Sequence, residues 1–229
     1  MGPMPRTILV TEASSPLGAA LVRRLVDRGY AVAAAGDRVG PGDAASDHSA
    51  EGLPTGARCL SLPWNRRSSA SARTILLSAM NAFGALDEAI ILEPPIAAIG
   101  SLAAASSLDV DRAFDDVKGP VLVAREVLDV FLPRGSGTIC FVSGGTAPGP
   151  VEAAAREAFH GLAAALLSSP GGPGIVANGF QGGPAAPEEY AAFIDRTLEE
   201  RARKISGRWF SPPGRGGFLQ GVFRTASSP

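Results

Sequence analysis

Residues 7–18 read Thr-Ile-Leu-Val-Thr-Glu-Ala-Ser-Ser-Pro-Leu-Gly, and the run at 17–28 continues as an amphipathic helix. The pattern is a buried strand, a tight polar turn and a helix. Such a turn can hold a phosphate, because glycines let the backbone approach it and the helix N-terminus supplies N–H groups and partial positive charge. Thr11, Ser14 and Ser15 offer hydroxyls to a phosphate or a ribose, and Leu17 and Gly18 open the helix. Glu12 opposes that chemistry, since a carboxylate pointing into the entrance repels phosphate. Pro16 removes one N–H donor. Asp37 follows Gly18 by about 20 residues, where an acidic side chain can hold an adenosine ribose. Farther along, Glu152 and Arg156 lie four apart on one helical face and can pair. A desolvated carboxylate can serve as a general base. A guanidinium is always charged and shuttles no proton. The plainer reading of this couple is a surface ion pair of little weight.

The elements that must position these residues alternate between strand-like and helix-like runs. Strands are expected near 6–11, 31–35, 58–62, 86–92, 137–143, 174–178 and 206–211, and helices near 17–28, 69–82, 109–132, 151–168 and 187–203. This is the pattern of a parallel sheet covered on both faces. Pro120 is expected to bend or break the helix at 109–132. Residues 38–57 are polar and Gly/Pro-rich, with no evident helix. The acidic residues at 108–116 read as a solvated helix face, His160 as a packed or surface histidine and His48 as a solvated one.

At 229 residues and 45% apolar content, one α/β domain with a full core is the simplest reading. A net charge of −1 offers no basic face for nucleic acid. Cys59 and Cys140 sit in separate apolar runs, which suits a reducing cytoplasm rather than a disulfide or a zinc site. No run approaches the apolar length of a membrane span, so a cytoplasmic protein without membrane or metal is expected.

The turn at 11–18 resembles the cofactor loop of the short-chain dehydrogenase/reductase family, T-G-x-x-x-G-x-G, with Glu12 and Pro16 in place of two glycines. The likeness extends over residues 6–214. Phe83-Gly84-Ala85-Leu86-Asp87 resembles the family's F-G-x-L-D. Ile91-Leu92-Glu93-Pro94 stands where N-N-A-G is expected, and Asp116 where a helical asparagine is expected. The aspartate expected after the third strand is absent from Leu62-Pro63-Trp64. Residues 137–143 match the fifth strand, and Ser143 stands for one of its terminal serines. Anchored on His160-Gly161-Leu162, the family's Y-x-x-x-K falls on Glu152 and Arg156. No tyrosine lies between 31 and 189 to replace the phenol. Asn178-Gly-Phe-Gln-Gly182-Gly183 resembles N-A-V-x-P-G, and the substrate-lid segment after it is short.

The resemblance implies a single Rossmann-type domain over 1–214, doubly wound and about seven-stranded, with a Gly/Arg/Ser-rich tail at 215–229. It implies a site at Ser143, Glu152, Arg156 and Asp116. It implies NAD as cofactor, bound weakly or not at all, at Thr11, Ser14, Ser15, Leu17, Gly18 and Asp37. The expected function is a non-catalytic subunit or scaffold. It would sit in a homodimer, a homotetramer or a hetero-oligomer with an active relative, joined through helices 109–132 and 151–168. The alternatives are an atypical NAD-dependent oxidoreductase, an enzyme using Glu152 or Asp116 as acid and base, and a nucleotide-responsive regulator.

Overall fold

The structure is a computed structural model that describes residues 5–37, 57–145, 149–182 and 186–213. Its seven strands are β1 (Thr7–Val10), β2 (Ala31–Asp37), β3 (Cys59–Trp64), β4 (Glu88–Leu92), β5 (Gly137–Ser143), β6 (Ile175–Gln181) and β7 (Arg208–Phe210). All pair in parallel in the order β3-β2-β1-β4-β5-β6-β7. The helices are α1 (Pro16–Asp27), α2 (Ser69–Phe83), α3 (Ser107–Arg134), α4 (Pro150–Ser168) and α5 (Pro187–Thr197). This is the expected single-domain, doubly wound sheet. The last helix is shorter than 187–203, because a π-helical turn, Leu198–Ala202, takes over its end.

Alternating faces of the strands build two cores. One packs Leu9, Ile91, Phe141 and their neighbours under α2, α3 and α4. The other packs Ile8, Ile90 and Val142 under α1 and α5. Parallel strands covered on both sides carry near-continuous apolar runs, as β1 and β4 do with every residue buried.

Local chemistry sets the helix starts. Ser15 caps α1 by accepting the Gly18 N–H at 3.0 Å. Ser106 and Asp109 form a reciprocal capping box at α3. Helix α3 runs on through Pro120, so of the bend or break expected there the break does not occur. Pro120 is buried within α3. The stretch 38–56, with His48, and the tail 215–229 lie outside the described residues.

The chain leaves β1 toward β2 on one side, while β4 lies on the other. The carboxyl ends of β1 and β4 therefore open the crevice where such sheets bind ligands. Gly18 fixes this corner. A Cβ there would strike the Glu12 carbonyl oxygen and lie 2.8 Å from its carbon and 2.9 Å from Ala13 Cα. Those atoms are backbone and cannot swing aside. Gly18→Ala is expected to cost about 2–3 kcal/mol by overpacking. Urea denaturation would show the loss, and an unchanged midpoint would contradict the close approach.

Candidate functional site

Two carboxylates stand at the ends of the two strands that flank the crevice. Glu12 follows β1. Its φ is 52°, the left-handed region that a glycine would adopt freely, and it is the one non-glycine residue with positive φ among the described residues. It is 3% exposed. Arg66, from the turn after β3, grips it with two bonds, Nε to Oε1 at 2.7 Å and Nη2 to Oε2 at 2.6 Å. This fork-to-fork geometry is the strongest that a side-chain ion pair offers. Asp116 of α3 lies 3.9 Å from Arg66 and 3.7 Å from Arg67, and Asp115 lies 3.7 Å from Arg67. The acidic face of α3 is thus partly tied to the sheet rather than wholly solvated.

Glu93 follows β4 and pairs with Arg156 of α4, whose Nε lies 2.6 Å from Glu93 Oε1. The other Glu93 oxygen accepts the Gly144 N–H at 3.2 Å. Arg156 also donates to the carbonyls of Gly145, at 2.9 Å, and Gly144, at 3.4 Å. The expected Glu152–Arg156 couple does not form. Arg156 turns to Glu93, which joins it to two carbonyls beyond β5. Glu152 turns inward, 2% exposed, and accepts the Ile99 N–H on Oε1. Its Oε2 is buried with no hydrogen-bond partner. The surface ion pair foreseen for it is therefore replaced by a buried contact.

Thr11, Ser15, Leu17 and Ser143 among the remaining foreseen residues are engaged in the structure. Thr11 Oγ1 accepts the Leu92 N–H at 2.9 Å and ties β1 to β4. Ser15 is occupied as the α1 cap. Ser14 Oγ lies against Gly36, where a Cβ would collide with it. Leu17 packs against the α1/α5 core. Asp37 ends β2, and its side chain lies outside the described residues. Ser143 is buried, its hydroxyl 3.5 Å from the Phe180 carbonyl. The structure thus unites Glu12 with Asp116 through Arg66, and it leaves Ser143, Glu152 and Arg156 on separate partners.

Sequence reasoning missed Arg66, the pairing of Glu93, and Tyr190. The Tyr190 hydroxyl donates to the Ser143 carbonyl at 2.9 Å. Its ring stands beside Gly182, where a Cβ would lie 2.5 Å from it. Burial first, and then the Glu93 charge, push this phenol well above its ordinary range. It is a hydrogen-bond donor here. The signal for Glu93 was present, a carboxylate in the slot after β4. Arg66 gave none, lying 54 residues from Glu12.

Among the described residues no group of three His, Cys, Asp or Glu can hold a metal, and no helix is long and apolar enough to cross a membrane. The family model for short chain dehydrogenase matches residues 6–188. Among curated proteins, none matches this sequence. Two solved structures share the fold at 17% identity and a TM-score of 0.73. One is a candidate 3-oxoacyl-reductase from Bacillus thuringiensis, with 90% of this chain and 96% of that chain covered. The other is a levodione reductase, with 90% and 95% covered.

The Glu12–Arg66 pair is the most buried charge contact at the crevice. Removing one partner of a buried pair costs about 3–5 kcal/mol. Arg66→Met is expected to destabilise the protein on that scale. A loss below about 1 kcal/mol in denaturant titration, the size of a surface pair, would contradict the assignment.

Proposed function

The chain belongs to the short-chain dehydrogenase family, and we propose that it serves there as a non-catalytic subunit of an oligomer rather than as a carbonyl reductase. The observation that carries this reading is the pair of arginine–carboxylate locks, Glu12–Arg66 and Glu93–Arg156, at the ends of β1 and β4. Dinucleotide binding is a property of the family, and the nicotinamide supplies or accepts hydride when bound. The residues of this turn fit its pyrophosphate poorly. A phosphate arriving at α1 meets Glu12, whose neutralising guanidinium is already engaged. Displacing that bidentate pair would cost about 3 kcal/mol, which corresponds to more than a hundredfold in affinity.

The proton-donating machinery points the same way. The helical phenol and lysine of the family are here Glu152 and Arg156. The first is buried against Ile99, and the second is engaged by Glu93. General acid–base help is worth about 10²–10⁴-fold in rate, and these engagements argue against either residue giving it to a carbonyl. The buried carboxyl of Glu152, with one oxygen unpartnered, is the single observation that favours the second reading, an enzyme of different chemistry.

The surface supports the oligomer. Helix α3 exposes Leu108, Phe114, Val121 and Leu132. Helix α4 exposes Ala154, Ala158, Gly161, Ala164 and Ala165, small residues over which another helix can pass closely. An isologous contact of α3 and α4 across a two-fold axis closes on itself. It would bury on the order of 1,600 Å².

Two experiments test these claims. NAD(P)H oxidation with simple ketones and acyl thioesters is expected to be negligible; robust turnover would refute the non-catalytic reading. Light scattering at micromolar concentration is expected to give a dimer or larger assembly, and Ala158→Arg or Ala165→Arg should dissociate it. A wild-type monomer, or an assembly indifferent to both substitutions, would defeat the interface.

A further inference from the structure

Between β4 and α3 the chain passes over the first turn of α4 as a largely exposed segment, residues 94–106, anchored at its start by the buried Pro94. It contains one 3-10 turn, Leu102–Ala104, and Leu102 is 64% exposed. Its inward contacts are few. Ile96, Ile99 and Ala105 rest on the α2/α3/α4 core. Among the described residues, one hydrogen bond ties residues 94–105 to the body, the Ile99 N–H donating to Glu152 Oε1.

That bond ends on a buried carboxylate. Glu152 is 2% exposed, and its second oxygen has no partner. A buried carboxyl atom left in that condition costs free energy. The fit around it is close. A Cβ on Gly149 would lie 2.6 Å from Glu152 Oε2 and 2.7 Å from the Gly100 carbonyl oxygen. Gly100 itself has φ of 74°, which turns the segment just after Ile99.

We propose that residues 94–106 form a strap held shut on α4 by a single latch, Glu152, and that release of the latch swings the strap away and exposes that carboxylate. The device does not depend on the non-catalytic reading. Among the described residues the strap is held by the buried Pro94, by Ile96, Ile99 and Ala105 and by one hydrogen bond, whereas the strands beneath it are held by continuous ladders. Local opening should therefore cost far less than global unfolding. Glu152 acts as a positioning residue in this device.

Hydrogen–deuterium exchange on the full chain tests it, read peptide by peptide near neutral pH. Glu152→Ala is expected to speed exchange across 94–106 by at least tenfold, with β4, β5 and the centre of α3 unchanged. Glu152→Gln keeps an acceptor for Ile99, so it should exchange no faster than wild type. Gly149→Ala, which wedges the strap from below, should reproduce the alanine pattern and serves as the readout if Glu152→Ala does not fold. Faster exchange throughout the protein in Gly149→Ala would overturn the proposal, as would unchanged exchange at Ile99 in either alanine variant.

Discussion

The crevice at the head of this sheet depends on one buried ion pair, Glu12 with Arg66. It joins the end of β1 to the turn after β3, and through Arg66 it reaches Asp116 on α3. Glu12 holds a left-handed backbone to do so, a conformation that costs a non-glycine residue about 1–3 kcal/mol unless its surroundings over-determine it. The surroundings do. Gly18 packs against its carbonyl, Ala13 N–H donates to Ala35 O at 2.9 Å, and Thr11 is bonded to Leu92. On the far side of Arg66, Gly119 of α3 has space only for hydrogen, since a Cβ would lie 2.8 Å from Arg66 Cβ and 3.0 Å from the Trp64 ring. The corner that a phosphate turn would leave open is thus packed from both sides around a guanidinium.

The other end of the sheet shows the same economy of charge with a different balance. Glu88, at the start of β4, is fully buried and bonded to Arg203 at 2.9 Å, while Arg203 also meets Glu199 and Tyr30. Burial raises the Glu88 carboxyl despite Arg203. Burial works against the Arg203 charge, but Glu88 and Glu199 overcome it and raise its pKa. Pairing with hydrogen bonds is the condition under which such groups survive inside a protein. At both ends of the sheet arginine, rather than lysine, meets the requirement, in a chain whose lysines are only Lys118 and Lys204.

Much of the fold was legible, because parallel strands and amphipathic helices write their period into the chain. All seven strands and five helices lie where the alternation puts them, within a few residues. Of the bend or break expected at Pro120, the break is absent. The site was legible only in part. Glu12 announced itself as a charge where glycine belongs. Its partner did not, because a lone arginine in a distant turn carries no local pattern. The spacing of Glu152 and Arg156 suggested a pair, yet an i,i+4 contact is worth only about 0.2–0.5 kcal/mol. A buried carboxylate after β4 and an amide on the strap outbid it. Tertiary partners of that kind are invisible to periodicity.

The most direct test of this account is titration calorimetry of NAD against the wild-type protein and Glu12→Gly. Glycine adopts the left-handed turn without strain and removes the like charge. The account predicts little or no binding to the wild type at sub-millimolar NAD, and at least tenfold tighter binding to the variant. Micromolar binding with Glu12 in place, or no gain on its removal, would contradict it.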